Sequence, residues 1–114
     1  MTKLKNQKIE VNGIKFDSKR EAKRYKELML LMEAGEISDL RLQVKFNLLP
    51  KQRDSNGKAI RAVDYIADFV YFRGDQQVVE DAKGYRNPKA ATYAIFVLKK
   101  KMMKYFHDID IVEV

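Results

Sequence analysis

The sequence lacks cysteine, contains a single histidine and has no long hydrophobic run. Without cysteine, disulfide frameworks, thiolate zinc sites and cysteine nucleophiles are excluded. One histidine excludes a histidine-rich metal site. No apolar segment approaches the roughly 18 residues of a transmembrane helix, and the first residues lack the apolar stretch of a signal peptide, so we expect a cytoplasmic protein without a membrane partner. Hydrolytic chemistry would have to come from carboxylates, lysines, hydroxyls or an oxygen-bound metal.

What the sequence does have is charge, with basic residues in excess. The 114 residues include 34% charged and 46% hydrophobic side chains, a globular composition, and the length favours one domain over residues 1–114. Lysine and arginine number 23 against 16 acidic residues, for a formal net charge of +7. A polyanionic partner is therefore expected, and nucleic acid before membrane.

The first third of the chain predicts a hairpin followed by a helix. Residues 8–16 alternate apolar and polar side chains around Asn12-Gly13, a pair that supplies the positive φ of a tight turn. Ser18 is a typical N-cap and, together with Glu21, fits a capping box. We expect the helix to end near Ala34, before Gly35.

The remaining segments predict strands and one more helix. Residues 40–49 alternate with period two, which places Leu42, Val44, Phe46 and Leu48 on one face. Further strands are expected at 60–72, 77–83 and 109–112, with a polar turn at 53–58 between the first two long strands. A second helix should start at Pro88, capped by Asn87, and end near Phe106.

The resulting element order is β-β-α-β-β-β-α-β. This order predicts an α/β (α+β) fold in which a central mixed β-sheet is flanked by two helices.

Two of the predicted strands carry acidic residues in apolar surroundings. On the first, Asp68 shares a face with Ile66, Val70 and Phe72. On the second, Asp81 and Lys83 point the same way as Val79, and Glu80 points to the opposite side. An ionised carboxylate on a mostly apolar face is costly unless it is paired or bound to a cation.

If these strands are neighbours, Asp68 and Asp81 approach each other at the strand ends. A divalent cation would relieve the repulsion between them, and Lys83 would stand beside it to stabilise charge on a phosphate or to orient a water. The alternative is a structural cross-strand ion network of the same three residues.

Glu21 adds a third acid to this set. On a helical wheel it falls between Leu28 and Tyr25, inside the apolar stripe of the first helix. A capping-box glutamate needs no further role, so capping remains the alternative to a place in the site.

The segments Tyr65-Ile66-Ala67-Asp68-Phe69 and Val79-Glu80-Asp81-Ala82-Lys83-Gly84 together resemble the core of the PD-(D/E)XK nuclease superfamily. Within it, the chain resembles the small phage and prophage endonucleases related to Holliday-junction resolvases. By this resemblance Asp68 is the first aspartate, Asp81 and Lys83 form the acid-x-Lys pair, and Glu21 is the glutamate of the preceding helix.

The resemblance implies a restriction-endonuclease-like core over about residues 17–114, after an N-terminal hairpin at about 8–16. It implies hydrolysis of DNA phosphodiester bonds, with branched recombination intermediates among the substrates. Asp68, Asp81 and Glu21 would hold Mg²⁺ or Mn²⁺, for which oxygen ligands are suited. A resolvase that cuts two strands symmetrically would be a homodimer, and a phage-encoded chain would act in the host cytoplasm.

Two positions depart from the family pattern or leave it ambiguous. Ala67 stands where the proline of the family name would be, a chemically silent change. Glu80, next to Asp81, could be the ligand if the alignment shifts by one residue. Asp81 is preferred because it shares a face with Lys83.

Candidate DNA contacts lie after the acid-x-Lys pair and on the second helix. Tyr85, Arg86 and Lys89 flank the loop that follows Lys83, and Lys100 and Lys104 lie on a polar arc of the helix. A solvated lysine face is the alternative for the helix. The alternative for the whole chain is a non-catalytic nucleic-acid-binding or recombination accessory module.

Overall fold

The structure is a computed structural model, and it describes residues 8–83 and 90–114. The elements in chain order are β1 (Ile9–Val11), β2 (Ile14–Phe16), α1 (Lys19–Glu33), β3 (Ser38–Leu49), β4 (Gln52–Arg53), β5 (Ala59–Ile60), β6 (Val63–Arg73), β7 (Gln76–Asp81), α2 (Ala91–His107) and β8 (Val112–Glu113). The predicted class is confirmed: helices and a central mixed sheet are combined in one α+β fold.

The central sheet has four strands in the order β3-β6-β7-β8. β3 pairs with β6 and β6 with β7 in antiparallel fashion, whereas β8 runs parallel to β7. Gly74, with φ +63°, provides the tight turn that the antiparallel β6–β7 pair requires. A parallel pair needs a long crossover, and α2 supplies it between β7 and β8.

Local capping signals set the limits of α1 as predicted. Ser18 is the N-cap, and its Oγ accepts a hydrogen bond of 3.1 Å from the backbone N–H of Glu21. Ala34 is the C-cap, and Gly35 follows with φ +79°. The Asn12-Gly13 hairpin is also confirmed, since both turn residues have positive φ between β1 and β2.

The two helices lie on opposite faces of the sheet. Phe69 and Tyr71 belong to the hydrophobic cluster that contains Tyr25 and Leu28 of α1. Val70, between them, belongs to the cluster that contains Met103 of α2. Because successive strand residues point to opposite faces, the sheet separates the two helices into two layers.

The side-chain alternation of β3 and β6 is interrupted at one level, which the sequence pattern did not predict. Leu42 packs in the α1 cluster and Val44 in the α2 cluster, although plain alternation puts both on one face. The change falls at Gln43, which has φ +52°. On β6 it falls at Asp68, between Ala67 in the α2 cluster and Phe69 in the α1 cluster.

The predictions that one face of β3 carries all four apolar residues, and that Ile66 and Val70 share a face of β6 with Asp68 between them, are therefore wrong. The β3–β6 register is nevertheless unbroken through this level, since Leu42 pairs with Phe69 and Val44 with Ala67. Both strands change side together. We call this level the side switch.

Residues 50–62 form a projecting hairpin that we call the arm. The sequence predicted a polar turn followed directly by a long strand. In the structure β4 pairs with β5 across the arm, and β6 begins only at Val63. Every residue from 50 to 62 is exposed, so the arm extends the β3–β6 pair away from the core.

Two predicted boundaries near the C-terminus are also wrong. α2 begins at Ala91 after an extended Ala90, which has no side-chain cap, and not at Pro88. Asn87 and Pro88 lie outside the described residues. The last strand is Val112–Glu113 and not 109–112. The backbone N–H groups of Asp108 and Ile109 still donate to carbonyls at the end of α2, and Asp108 has a left-handed backbone conformation.

In the described ranges, neither helix has the length and apolar content needed to cross a membrane.

Candidate active site

The register of β6 and β7 brings their two aspartates to the same level. Phe69 pairs with Glu80 and Val70 with Val79, so continuing the ladder by one residue sets Asp68 opposite Asp81. The Asp68 Oδ2 accepts a 2.8 Å hydrogen bond from the backbone N–H of Ala82, directly after Asp81. The acids that the sequence placed on neighbouring strands are thus neighbours in the fold.

Asp81 and Lys83 form an ion pair on the α2 side of the sheet. The Lys83 Nζ lies 3.1 Å from the Asp81 Oδ1. The same ammonium group lies 4.0 Å from the ring centroid of Phe96 of α2, within cation–π distance. Lys83 is therefore held between a carboxylate and an aromatic face.

Tyr65 completes the surroundings of Asp81, and sequence reasoning missed it. Its hydroxyl donates a 2.6 Å hydrogen bond to the Asp81 Oδ2. Burial, with the bond to Asp81, raises the pKa of the Tyr65 phenol, so the hydroxyl remains a donor. In the sequence this tyrosine is one more apolar strand position, and the acid sixteen residues later gives no sign of the contact.

Glu21 and Asp68 form a second carboxyl pair around Gln43. The Gln43 Nε2 lies 3.2 Å from the Asp68 Oδ1 and 3.5 Å from the Glu21 Oε2. Sequence reasoning assigned no role to Gln43; its left-handed backbone conformation at the side switch directs the amide to these two acids. The Glu21 side chain thus joins the acids, while its backbone N–H donates to the Oγ of the N-cap Ser18.

The carboxyl groups of Glu21 and Asp68 lie close to each other, and the pKa of each is raised. Burial, together with the nearby carboxylates of Asp68 and Asp17, raises the pKa of Glu21 to about 7. Burial also raises the pKa of Asp68; the Ala82 N–H opposes this rise, and Asp81 adds to it. Negative charge at this position is therefore poorly compensated by the protein's own groups.

Glu80 lies on the opposite face and has a different role. It is 1% exposed, and both of its oxygens bond to the Arg24 guanidinium of α1, at 2.8 and 2.6 Å. The Tyr71 hydroxyl donates to the same carboxylate. Glu80 thus anchors α1 to the sheet, and this arrangement supports Asp81 as the acid that faces Lys83.

Of the predicted DNA-contact residues, Lys100 and Lys104 lie in the described part of the chain, and both have acidic partners. Lys100 forms an ion pair of 2.9 Å with Glu113, and Lys104 lies 2.8 Å from Asp108 and 3.4 Å from Asp110. The neighbouring carboxylates raise the pKa of Lys104. Tyr85, Arg86 and Lys89 lie outside the described residues.

The chemistry of the donor set suits a hard divalent cation. Glu21, Asp68 and Asp81 offer only carboxylate oxygens, and each oxygen keeps a lone pair beyond its present hydrogen bond. Within residues 8–83 and 90–114, no three acidic or histidine side chains converge on one point as a complete metal cage. Mg²⁺ typically takes one or two carboxylates and completes its shell with water and phosphate oxygens, so the residues fit such an ion.

Fold and site together describe a mixed α+β protein with a carboxylate–lysine cluster between the middle of β6 and the end of β7. The chain belongs to the family DUF1064, "Protein of unknown function (DUF1064)", whose model matches residues 1–112. Searches of curated proteins and of solved structures found no significant match.

Proposed function

We propose that the protein is a metal-dependent endodeoxyribonuclease that hydrolyses phosphodiester bonds in DNA. The observation that carries the proposal is the meeting of Asp68 and Asp81 on paired strands, with Lys83 on one acid and Glu21 beside the other. The net charge of +7 supports a polyanionic substrate. The resemblance to PD-(D/E)XK nucleases rests on the same four residues.

Lys83 would stabilise the negative charge that develops on the scissile phosphate. Its ammonium group is positioned by Asp81 and by the Phe96 ring, and the Lys83 side chain is 27% exposed. A positioned cation of this kind acts where transition-state charge develops. Tyr65 and Gln43 would act as positioning residues, since each donates a hydrogen bond to one of the aspartates.

Asp68 and Asp81, with Glu21, would hold Mg²⁺ or Mn²⁺. The bound ion would supply a water of lowered pKa and neutralise charge on the phosphate. The crowding of Glu21 and Asp68, which raises the pKa of both carboxyl groups, is what a nearby divalent cation would relieve.

Branched recombination intermediates, such as those of phage DNA, are the substrates that the resemblance favours. A homodimer would supply the second site that symmetric cutting of two strands needs. A cytoplasmic location, in the host for a phage-encoded chain, belongs to the same proposal.

The test is cleavage of a labelled four-way junction and of its matching linear duplex, in Mg²⁺, Mn²⁺ or chelator. We expect metal-dependent cutting by the wild type and a loss of at least about 100-fold in Lys83→Ala, typical of removing one transition-state charge contact. Lys26→Ala is the matched control, because Lys26 is an exposed lysine on α1 outside the cluster. Intact DNA in every metal condition would refute the proposal.

A non-catalytic nucleic-acid-binding or recombination accessory module is the second candidate. The observation that favours it is that both aspartates already have internal donors, so the cluster is a self-contained hydrogen-bonded network. This candidate predicts salt-sensitive DNA binding that neither added metal nor Asp81→Asn changes.

A further inference from the structure

The arm is the most exposed element of the described protein, and it is strongly basic. It carries Lys51, Arg53, Lys58 and Arg61 against a single acid, Asp54. The Asp54 Oδ1 accepts hydrogen bonds of 2.9 Å from the backbone N–H groups of Asn56 and Lys58. This carboxylate is therefore committed to the turn, and the cationic side chains dominate the arm surface.

The arm has a fixed shape although it is surrounded by solvent. Its tip is closed by the bonds from the Asp54 N–H to the Lys58 carbonyl and from the Gly57 N–H to the Asp54 carbonyl, both 2.9 Å. The Arg53 Nη1 adds a 2.8 Å bond to the Gly57 carbonyl. Gly57, with φ +83°, permits the turn. A preorganised element loses little entropy when it binds a ligand.

The arm contributes little to the core that the described residues form. Neither hydrophobic cluster contains a residue from 50 to 62, and Ile60 is 42% exposed. An isolated two-stranded hairpin is marginally stable in water, so packing alone gives no reason for such an element. Ordered surface hairpins that carry one sign of charge are suited to binding a partner of the opposite charge.

The position of the arm relates it to the acid cluster. Asp68 and Val63 lie five residues apart on β6, about 17 Å at the rise of a strand. Between them, on the face away from the α2 cluster, lie Lys45 and Ile66, which pair with each other and are both exposed. An open strip of sheet therefore leads from Asp68 to the base of the arm.

We propose that the arm inserts into the major groove of B-form duplex DNA while the acid cluster faces the backbone of the same duplex. The B-DNA major groove, about 12 Å wide, admits a two-stranded β-ribbon. The major groove of an A-form RNA duplex is too narrow for this. The inference rests on the proposed function for its DNA substrate and adds which element of the protein contacts the duplex, and in which groove.

The first experiment measures DNA affinity by fluorescence anisotropy on a labelled duplex of about two helical turns, in chelator and over a range of salt. The test variant is Lys51→Gln/Lys58→Gln/Arg61→Gln, which spares the Arg53 bond to the turn. We expect at least about tenfold weaker binding near physiological salt and a log–log salt slope smaller by about 2 to 3, since each lost phosphate contact removes about 0.9.

The matched control removes the same charge elsewhere, through Lys15→Gln/Lys26→Gln/Lys101→Gln, all three exposed. We expect a slope within about one unit of the wild type. Circular dichroism and thermal unfolding establish that both variants are folded. Equal losses in the two variants would mean that net charge alone drives binding and would overturn the role of the arm.

The second experiment compares DNA and RNA duplexes of the same sequence. We expect the wild type to prefer DNA at least about fivefold and the arm variant to lose this preference, because groove width distinguishes the two. A preference that the arm variant retains would overturn groove insertion. Cleavage is scored separately: a wild type that binds through the arm but never cuts would refute the nuclease and leave the arm proposal standing.

Discussion

Glu21 and Asp68 place two carboxyl groups around one amide donor, and this crowding has a thermodynamic cost in the metal-free protein. A carboxyl group whose pKa is higher in the folded than in the unfolded chain binds its proton more tightly when folded. Between the ordinary pKa of 4.5 and the folded pKa of about 7, the stability contributed by Glu21 therefore falls as the pH rises. Above the folded pKa, the whole of this loss in folding stability is present.

Glu21→Gln should accordingly stabilise the metal-free protein at about pH 8, above the folded pKa. We expect a gain of about 1 kcal/mol, discounted for partial solvent exposure, and no difference near about pH 4, where the carboxyl is protonated in both states. Urea unfolding in chelator over this pH range measures it. Glu33→Gln, at an exposed position of α1, is the control and should show no such pH dependence. A variant less stable than the wild type at the higher pH would contradict the assignment.

For single residues of the candidate site, the sequence predicted the acids and the lysine but not the side chains that donate hydrogen bonds to the acids. The spacing of Asp81 and Lys83 on one strand predicts that they share a face, and the structure pairs them at 3.1 Å. Tyr65 and Gln43 were missed because their roles depend on residues far along the chain. A left-handed Gln43 in a strand has no sequence signal, since glycine or asparagine is expected at such a position.

At the scale of elements, one largely buried ion pair joins α1 to β7 in addition to the apolar packing. Arg24 on α1 contacts both oxygens of Glu80 on β7, whose side chain is almost fully enclosed. Removing one member of a buried pair leaves the other charge without compensation, which is far more costly than removing both.

Arg24→Met should therefore destabilise the protein by about 3 kcal/mol, and adding Glu80→Gln should restore at least half of this loss. The glutamine side chain introduced by Glu80→Gln is uncharged, has the same shape as glutamate and can still accept a hydrogen bond from the Tyr71 hydroxyl. Thermal and urea unfolding of the wild type, both single variants and the double variant form the cycle. Additive losses in the double variant would show that the pair is not coupled.

Elements with strong local signals could be predicted, and those without them could not. The Asn12-Gly13 turn and the Ser18 and Gly35 caps fix their elements through backbone conformations that few residues adopt. β4 and β5 have two residues each, which is too short for a periodic sequence pattern to identify them. The start of α2 was misplaced because Pro88 is a typical first helical residue, whereas the helix begins at Ala91 without a side-chain cap.

For the whole molecule, the proposed reaction sets a requirement on assembly. The described residues contain one carboxylate–lysine cluster per chain, and a resolvase must cut two strands at symmetry-related positions. Closed two-fold dimers are the most common way to provide two such sites.

We therefore expect sedimentation equilibrium to give twice the mass of one chain, either free at micromolar concentration or on a four-way junction. The linear duplex is the comparison, because it has no crossing strands at a branch point. Observation of a monomer alone, both free and on the junction, would contradict the resolvase form of the proposal and would leave only a nuclease that nicks one strand.

The side switch bears on how this protein can change over time. Because β3 and β6 exchange faces together at Gln43 and Asp68, the α1 and α2 clusters are each complete without those two residues. The polar groups sit at the boundary between two packed layers and not inside either of them. Substitutions at Gln43 or Asp68 would therefore leave every member of both hydrophobic clusters in place. The polar groups at this level can vary more freely during evolution than the packed residues on either side of it.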